Sequence, residues 1–166
     1  MFNPGEYVVC GYSGVCKVEE ITSKDVPGST EKREYYALLP VQSSASRVFT
    51  PVDGKRTLRA VMTAEEAENL ILEIPHIEPL TVINDKHREE QYKEAMRSCD
   101  YREWIRVIKT LQLRQIERAK RGKQSTAVDN RYRKTAEEYL YTELAIALSK
   151  NIEEIEDYIR LKAGIF

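Results

Sequence analysis

The residue types that most often carry acid–base, nucleophilic or metal chemistry are scarce in this chain. Its 166 residues include two histidines, His76 and His87, and three cysteines, Cys10, Cys16 and Cys99. Neither histidine lies at a metal-ligand spacing from the other or from a cysteine, and the C-x-x-C pair of a zinc site does not occur. The sequence also has no glycine-rich phosphate loop, no G-x-S-x-G turn and no H-E-x-x-H motif. We therefore expect no catalytic residue, no metal site, no cofactor and no small-molecule substrate, and an enzyme is the less favoured hypothesis.

The chemistry that remains is electrostatic, and the charges are segregated along the chain. The totals nearly cancel, with 26 basic and 27 acidic residues and a net charge of −1. Residues 97–134, however, hold twelve basic and four acidic residues, a net charge of +8. A local basic surface of this kind binds phosphate groups. The alternative, which the pattern leaves open, is that these residues form solvated helix faces paired with glutamates of the bundle.

The overall composition is that of a folded protein outside the membrane. Hydrophobic residues make up 42% of the chain and charged residues 32%, enough for a core and a well-solvated surface. No apolar run approaches the roughly 18 residues of a membrane span, and the first residues lack the features of a secretory signal. An odd number of cysteines is typical of free thiols in a reducing compartment. We therefore expect a cytoplasmic protein with no membrane association.

The first 61 residues have the pattern of a small β domain. Short β-prone runs alternate with turn signals such as Pro27-Gly28 and Asp53-Gly54. The predicted strands are Tyr7–Cys10, Val15–Ile21, Glu34–Leu39, Arg47–Thr50 and Leu58–Val61. Five short strands in about 60 residues indicate a strongly bent sheet or a small barrel.

Helical periodicity begins after Met62. Thr63 and Glu66 form a capping box, and four further helices are predicted to begin near Asp85, Asp100, Thr126 and Asn151. On the third helix one apolar stripe, which predicts a buried face, contains Trp104, Val107, Ile108 and Leu111. The sequence therefore predicts an α+β protein with a β domain over residues 1–61 and an all-α domain of about five helices over residues 62–166.

Several segments, in order along the chain, resemble one known family. They are Pro4-Gly5-Glu6-Tyr7-Val8-Val9, Gly14-Val15, Val18-Glu19, Arg47-Val48-Phe49-Thr50-Pro51 and Tyr141-Thr142-Glu143-Leu144-Ala145-Ile146-Ala147. The sequence resembles the CarD family of bacterial transcription regulators, also called CdnL-type. The resemblance implies that the β domain is a Tudor-like or SH3-like barrel, similar to a module of the transcription-repair coupling factor. It implies no catalysis and no cofactor.

The resemblance also implies that the β domain docks on the β subunit of RNA polymerase. The strand that carries this contact in the family corresponds to Arg47, Val48 and Phe49. Alternation along a strand leaves Arg47 and Phe49 on one face and Val48 on the other. Arg47 is then expected to pair with an acidic partner and Phe49 to supply an apolar anchor. The alternative is that Val48 faces the core and its two neighbours are ordinary outer-face residues.

The helical domain is implied to contact promoter DNA, without sequence specificity, at the upstream edge of the melted region. Relatives insert a tryptophan after an asparagine at the start of the second helix, whereas this chain has Asp85 after Asn84. Phosphate contact is instead expected from a set of basic residues, Lys86, Arg88, Lys123 and Arg131. Because the inserted tryptophan is missing, the alternative function is a protein–protein adaptor on RNA polymerase with little or no DNA binding.

Overall fold

The chain folds into two compact units, residues 1–61 and residues 62–166. The structure is a computed structural model that describes residues 1–11, 13–42, 46–54 and 58–164. The first unit, the sheet unit, consists of β-strands, and the second, the helical unit, consists of α-helices. The predicted α+β class is therefore confirmed.

The sheet unit contains one five-stranded sheet in which each pair of neighbouring strands is antiparallel. The strands are β1 (Tyr7–Cys10), β2 (Gly14–Asp25), β3 (Lys32–Pro40), β4 (Val48–Pro51) and β5 (Leu58–Ala60). Their order in the sheet is β4-β3-β2-β1-β5, so β4 and β5 are the edge strands.

The hairpin of β2 and β3 is longer than the sequence predicts. The apolar pattern of β2 stops at Ile21, but the polar residues as far as Asp25 remain paired with β3, where Asp25 lies opposite Lys32. Backbone hydrogen bonds sustain a hairpin without a buried face, which explains why hydrophobic alternation underestimates its length. A register shift between Val18 and Glu20 leaves Glu19 as the extra residue of a β-bulge.

The core of the sheet unit lies on one face of the sheet. It consists of alternating residues of three strands, which are Val8, Cys10, Cys16, Val18, Tyr36 and Leu38. Val48 of the edge strand packs against this cluster. Cys10 and Cys16 of this unit, and Cys99 of the helical unit, are buried and form no disulfide.

The helical unit contains five α-helices. They are α1 (Ala64–Glu73), α2 (Arg88–Arg97), α3 (Tyr101–Lys120), α4 (Ala127–Leu148) and α5 (Ile152–Ala163). The capping box of α1 is present, since Thr63 Oγ1 accepts from the Glu66 N–H at 3.1 Å and Glu66 Oε2 accepts from the Thr63 N–H at 2.7 Å. In the described part of the chain no helix is long and apolar enough to cross a bilayer.

The start of α2 differs from the sequence prediction. Asp85 to His87 form a single 3-10 turn, and the α-helix begins only at Arg88. The Asn84 side chain accepts a hydrogen bond from the Lys86 N–H at 3.0 Å, which satisfies one of the unpaired donors of that turn. The predicted start near Asp85 is therefore a 3-10 turn capped by Asn84, and the α-helix follows it.

The predicted apolar stripe of α3 is the core of the helical unit. Trp104 is fully buried and packs edge to face against Tyr139 of α4, with ring centroids 5.5 Å apart. Val107, Ile108 and Leu111 are buried along the same face of the helix. Trp104 is therefore a core residue, as its position on the stripe predicts.

The segment between α1 and α2, residues 77–84, is extended and is held by side chains of the helices beside it. We call it the connector. Lys109 Nζ donates to the carbonyl oxygens of Ile74 and Ile77, the latter at 2.6 Å. Thr110 Oγ1 accepts from the Leu80 N–H at 2.9 Å. These bonds fix the path of the chain into the turn that carries Asp85.

A buried carboxylate marks the first residue of the helical unit. Glu143 of α4 is fully buried, and its Oε1 accepts a hydrogen bond from the Met62 N–H at 3.0 Å. Glu143 belongs to the segment 141–147 on which the family resemblance partly rests. This carboxylate therefore anchors the chain where it enters the helical unit.

Candidate functional site: edge strand β4 and a basic end of the helical unit

The edge strand β4 has one inward and one outward face. Val48 lies opposite Leu38 and packs on the core, whereas Phe49 lies opposite Ala37 and is 36% exposed. Arg47, which immediately precedes β4, is also exposed. The alternation expected from the sequence is thus present. An edge strand has no neighbouring strand on one side, which leaves backbone donors and acceptors for a partner.

The outward side chains of this strand are held by charges of β2. Arg47 Nε lies 2.8 Å from Glu19 Oε2, and Arg47 Nη1 lies 4.0 Å from Glu20 Oε1. The Lys24 ammonium lies 3.1 Å from the ring centroid of Phe49, in a cation–π contact. We call these five residues the β4 patch. Its two glutamates and its lysine were not predicted, because they belong to β2, which β3 separates from β4 in the sheet, and sequence spacing does not show contacts across β3.

The four predicted DNA-contacting residues lie on three helix ends that the bundle brings together. Lys86 and Arg88 are at the start of α2, Lys123 follows the end of α3, and Arg131 is near the start of α4. Arg131 Nη2 lies 3.3 Å from Oε1 of Glu89, the residue after Arg88. We call this region the basic end.

The four residues differ in whether their charged groups already have partners within the protein. Within the described residues, neither the Lys86 nor the Lys123 ammonium has an ion pair, and both side chains are exposed. Arg131 shares Glu89 with the Tyr132 hydroxyl and lies over the Tyr132 ring. Arg88 is only 19% exposed and is held within the protein. The two lysines are therefore the residues best placed to contact phosphate directly.

Asp85 lies between two arginines of the basic end. Its Oδ1 accepts from Arg88 Nη2 at 2.9 Å and from Arg88 Nε at 3.2 Å, and Arg114 Nη1 lies 3.8 Å from the same oxygen. The Asp85 side chain is 81% exposed. The hydrogen bond from Arg88, followed by the charge of the same guanidinium, lowers the pKa of the Asp85 carboxyl below its ordinary value. Asp85 is thus an ionised surface residue that neutralises part of the basic end.

A groove of about 430 Å³ runs from Asp85 along α3. Three arginines line it: Arg114 and Arg118 lie on one stripe of α3, and Arg121 is the residue that follows this helix. Leu80 and Val82 of the connector and Leu113 of α3 supply its apolar wall. Sequence reasoning counted these arginines only as part of a charge total, although their helical spacing was a usable signal.

The structure contains no candidate metal centre among the residues it describes. Nowhere in residues 1–11, 13–42, 46–54 and 58–164 do three or more histidine, cysteine, aspartate or glutamate side chains form a group that could hold a metal ion.

Comparison with known families agrees with this two-unit organisation. Residues 2–62 match the family model of the CarD-like/TRCF RID domain, and residues 70–160 match that of the CarD C-terminal domain. No curated protein matches the chain. The two domains define a transcription-related protein that interacts with RNA polymerase.

The chain belongs to the CarD family. The resemblance found in its sequence is therefore confirmed. The five-stranded sheet is its Tudor-like domain, and the five helices are its C-terminal domain. The CarD family consists of transcription factors rather than enzymes.

Proposed function

We propose that this protein docks on the β subunit of RNA polymerase through the β4 patch and contacts promoter DNA through its basic end. The DNA contact is not sequence-specific and lies at the upstream edge of the melted region, where it changes the lifetime of the open complex. The protein acts in the cytoplasm, with RNA polymerase. The observation that carries the proposal is the edge strand β4, with Arg47 and Phe49 on its outward face.

The β4 patch supplies the three kinds of contact that a protein interface uses. The free side of β4 offers backbone hydrogen bonds, Phe49 offers an apolar ring, and Arg47 offers a charge. Arg47 and Phe49 already have internal partners, Glu19 and Lys24. A partner with an acidic group near Arg47 and a basic group near Glu19 would exchange these ion pairs for intermolecular ones, which favours electrostatic selectivity.

The DNA contact is supported by the charges that the helices bring together. The basic end and the groove beside it combine two exposed lysines with five arginines, which are Arg88, Arg114, Arg118, Arg121 and Arg131. Contacts of this kind are made to phosphate and carry no sequence preference. The adaptor without DNA binding is favoured by a different observation, the exposed carboxylate of Asp85 at the position of the family's inserted tryptophan. The salt dependence of DNA binding distinguishes the two functions.

The docking proposal is tested by reversing one charge of the β4 patch. Arg47→Glu is expected to weaken binding to the isolated β subunit by about tenfold or more, because the new carboxylate opposes the partner's acidic group and repels Glu19 and Glu20. Binding is measured by calorimetry, and thermal unfolding checks that the variant is folded.

The matched control is Arg33→Glu. Arg33 is an exposed arginine of the same sheet that pairs with one acid, Asp53, at 2.8 Å. This variant makes the same change in net charge outside the β4 patch, so its affinity should stay within about twofold of wild type. A folded Arg47→Glu protein that binds as tightly as this control would show that β4 is not the docking strand.

A further inference from the structure

The contacts of Asp85 are those of an anion in a built site rather than of a single surface ion pair. Three guanidinium nitrogens from two helices converge on one oxygen, Asp85 Oδ1, at 2.9, 3.2 and 3.8 Å. The Arg88 fork approaches from the start of α2, and Arg114 approaches from α3. This is the arrangement in which two arginines bind a phosphate oxygen.

Both arginines keep their positions without Asp85, because each has a second partner. Arg88 Nη1 donates to the Tyr92 hydroxyl at 2.9 Å, and Tyr92 is buried. Arg114 Nε lies 2.7 Å from Oδ2 of Asp129, which is also buried. The two guanidiniums are therefore pre-positioned, and an anion that replaces Asp85 finds them already in place.

Asp85 itself is the weakly held member of this group. It lies on a single 3-10 turn, outside the helix, and most of its side chain is exposed. Releasing it to solvent breaks its contacts with the arginines and leaves the contacts of Tyr92 and Asp129 intact. An exposed ion pair of this kind contributes little to stability, so its displacement costs little.

The groove beyond this position fits a chain of anions rather than a single ion. Arg118 and Arg121 continue the line of positive charge along α3, while Leu80, Val82 and Leu113 form an apolar side. A nucleic-acid backbone, with charged phosphates on one side and sugars and bases on the other, matches this division.

We propose that Asp85 occupies, in the unbound protein, an anion site built by Arg88 and Arg114, and that a phosphate of the nucleic-acid backbone displaces it on binding. The site continues along Arg118 and Arg121. This inference rests on the proposed DNA contact and adds its location and an internal competitor. Asp85 therefore lowers the affinity of its own protein for DNA.

The test compares two variants that each remove one negative charge from the groove. Asp85→Asn neutralises the competitor, whereas Glu117→Gln neutralises a groove residue that pairs with Lys120 instead of these arginines. Asp85→Asn is expected to bind a labelled forked duplex about two- to fivefold more tightly than wild type. Its salt slope should stay close to that of wild type, because the same phosphate occupies the site in both bound proteins. Glu117→Gln should gain less than half as much affinity.

A second arm uses inorganic tripolyphosphate in place of DNA and separates this inference from the proposed function. If Asp85→Asn gains no more affinity than Glu117→Gln for either probe, the inference is wrong, even where wild-type DNA binding falls with salt as the proposed function requires. If Asp85→Asn gains affinity for tripolyphosphate while no variant binds DNA, the anion site stands and the DNA contact is wrong.

Discussion

Trp104 is the side chain whose removal would open the largest hole in the helical unit. It is the only tryptophan of the chain, it is fully buried, and its ring packs on Tyr139 across the interface of α3 and α4. Its position in the core also separates it from the tryptophan that relatives insert into DNA, since a residue enclosed by α3 and α4 cannot reach a groove.

We expect Trp104→Ala to lower the free energy of unfolding of the helical unit by about 3–5 kcal/mol, the usual loss on emptying a large aromatic site. Urea unfolding followed by circular dichroism measures the change. The control is Leu161→Ala, because Leu161 is a large apolar residue of α5 that is 81% exposed, and its loss should change stability by about 0.5 kcal/mol or less. A Trp104→Ala protein that unfolds at the wild-type urea concentration would contradict the core assignment.

At the residue scale, burial could be predicted from neighbouring positions in the sequence, whereas contacts between distant segments could not. The burial of Trp104 is predictable because the spacing of Val107, Ile108 and Leu111 defines one face of a helix. The contacts of Arg47 are not, because its partners Glu19 and Glu20 belong to β2, a strand that is distant in sequence and separated from β4 by β3. Asp85 could be aligned with a family position, but its two arginines come from separate helices, and spacing along one helix cannot show such a convergence.

Among the elements, the connector depends most on side-chain contacts. The connector contains no helix or strand. Lys109 of α3 donates hydrogen bonds to the carbonyl oxygen of Ile74, which precedes the connector, and to that of Ile77, which begins it. Lys109 is half-buried, and this burial lowers the pKa of its ammonium group. The position of the basic end therefore depends on one lysine that does not belong to it.

Lys109→Met is expected to lower the free energy of unfolding by about 1.5–3 kcal/mol, the range for hydrogen bonds made by charged groups. Amide exchange at Leu80 should also become faster, because the N–H of Leu80 bonds to Thr110 in the same connector. Trp104 fluorescence reports the unfolding. The control Lys93→Met removes a lysine of α2 that pairs with two glutamates of its own helix, Glu89 and Glu90, and both readouts should stay near wild type. Equal exchange rates in the two variants would show that Lys109 does not hold the connector.

The bounds of a helix or strand were predictable where neighbouring residues carry a signal for its start or its end. The capping box of Thr63 and Glu66 is a local signal of this kind, and α1 begins at the predicted residue. The outer half of the β2–β3 hairpin was not predictable, because its polar residues from Thr22 onward have the composition of a loop and are held only by their partners across the ladder. The sequence predicts α-helix already at Asp85, three residues before the α-helix begins, because a one-turn 3-10 segment at a helix start has no sequence pattern of its own.

At the scale of the whole molecule, the net charge of −1 conceals a segregated basic surface, which the proposed function assigns to DNA contact. Replacing Lys86 and Lys123 together by alanine is expected to reduce the slope of log affinity against log salt for DNA by up to about two, near one for each lost phosphate contact. The two lysines are chosen over Arg88 because Arg88 also supports Asp85 and Tyr92. Titration of a labelled duplex at several salt concentrations gives the slope.

The control replaces Lys150 and Lys162 by alanine. Both ammonium groups lie over the Tyr158 ring, in the region of α5, and the double variant loses the same total charge. Its salt slope should match wild type. Equal slopes in all three proteins would favour the adaptor that binds RNA polymerase without DNA.

The segment of chain that joins the two units, which we call the tether, is very short because the Met62 N–H is hydrogen-bonded to Glu143. Strand β5 ends at Ala60 and Glu143 holds Met62, so Val61 is the only residue between two anchored points. A fully extended chain spans about 7 Å from Ala60 to Met62. When one unit is bound to its partner, such a tether gives the second unit a high effective concentration at any binding site within reach. At a site farther away than the tether allows, the effective concentration of the second unit is close to zero. Under the proposed function, the length of the chain at Val61 therefore limits how far from the polymerase surface the helical unit can contact DNA.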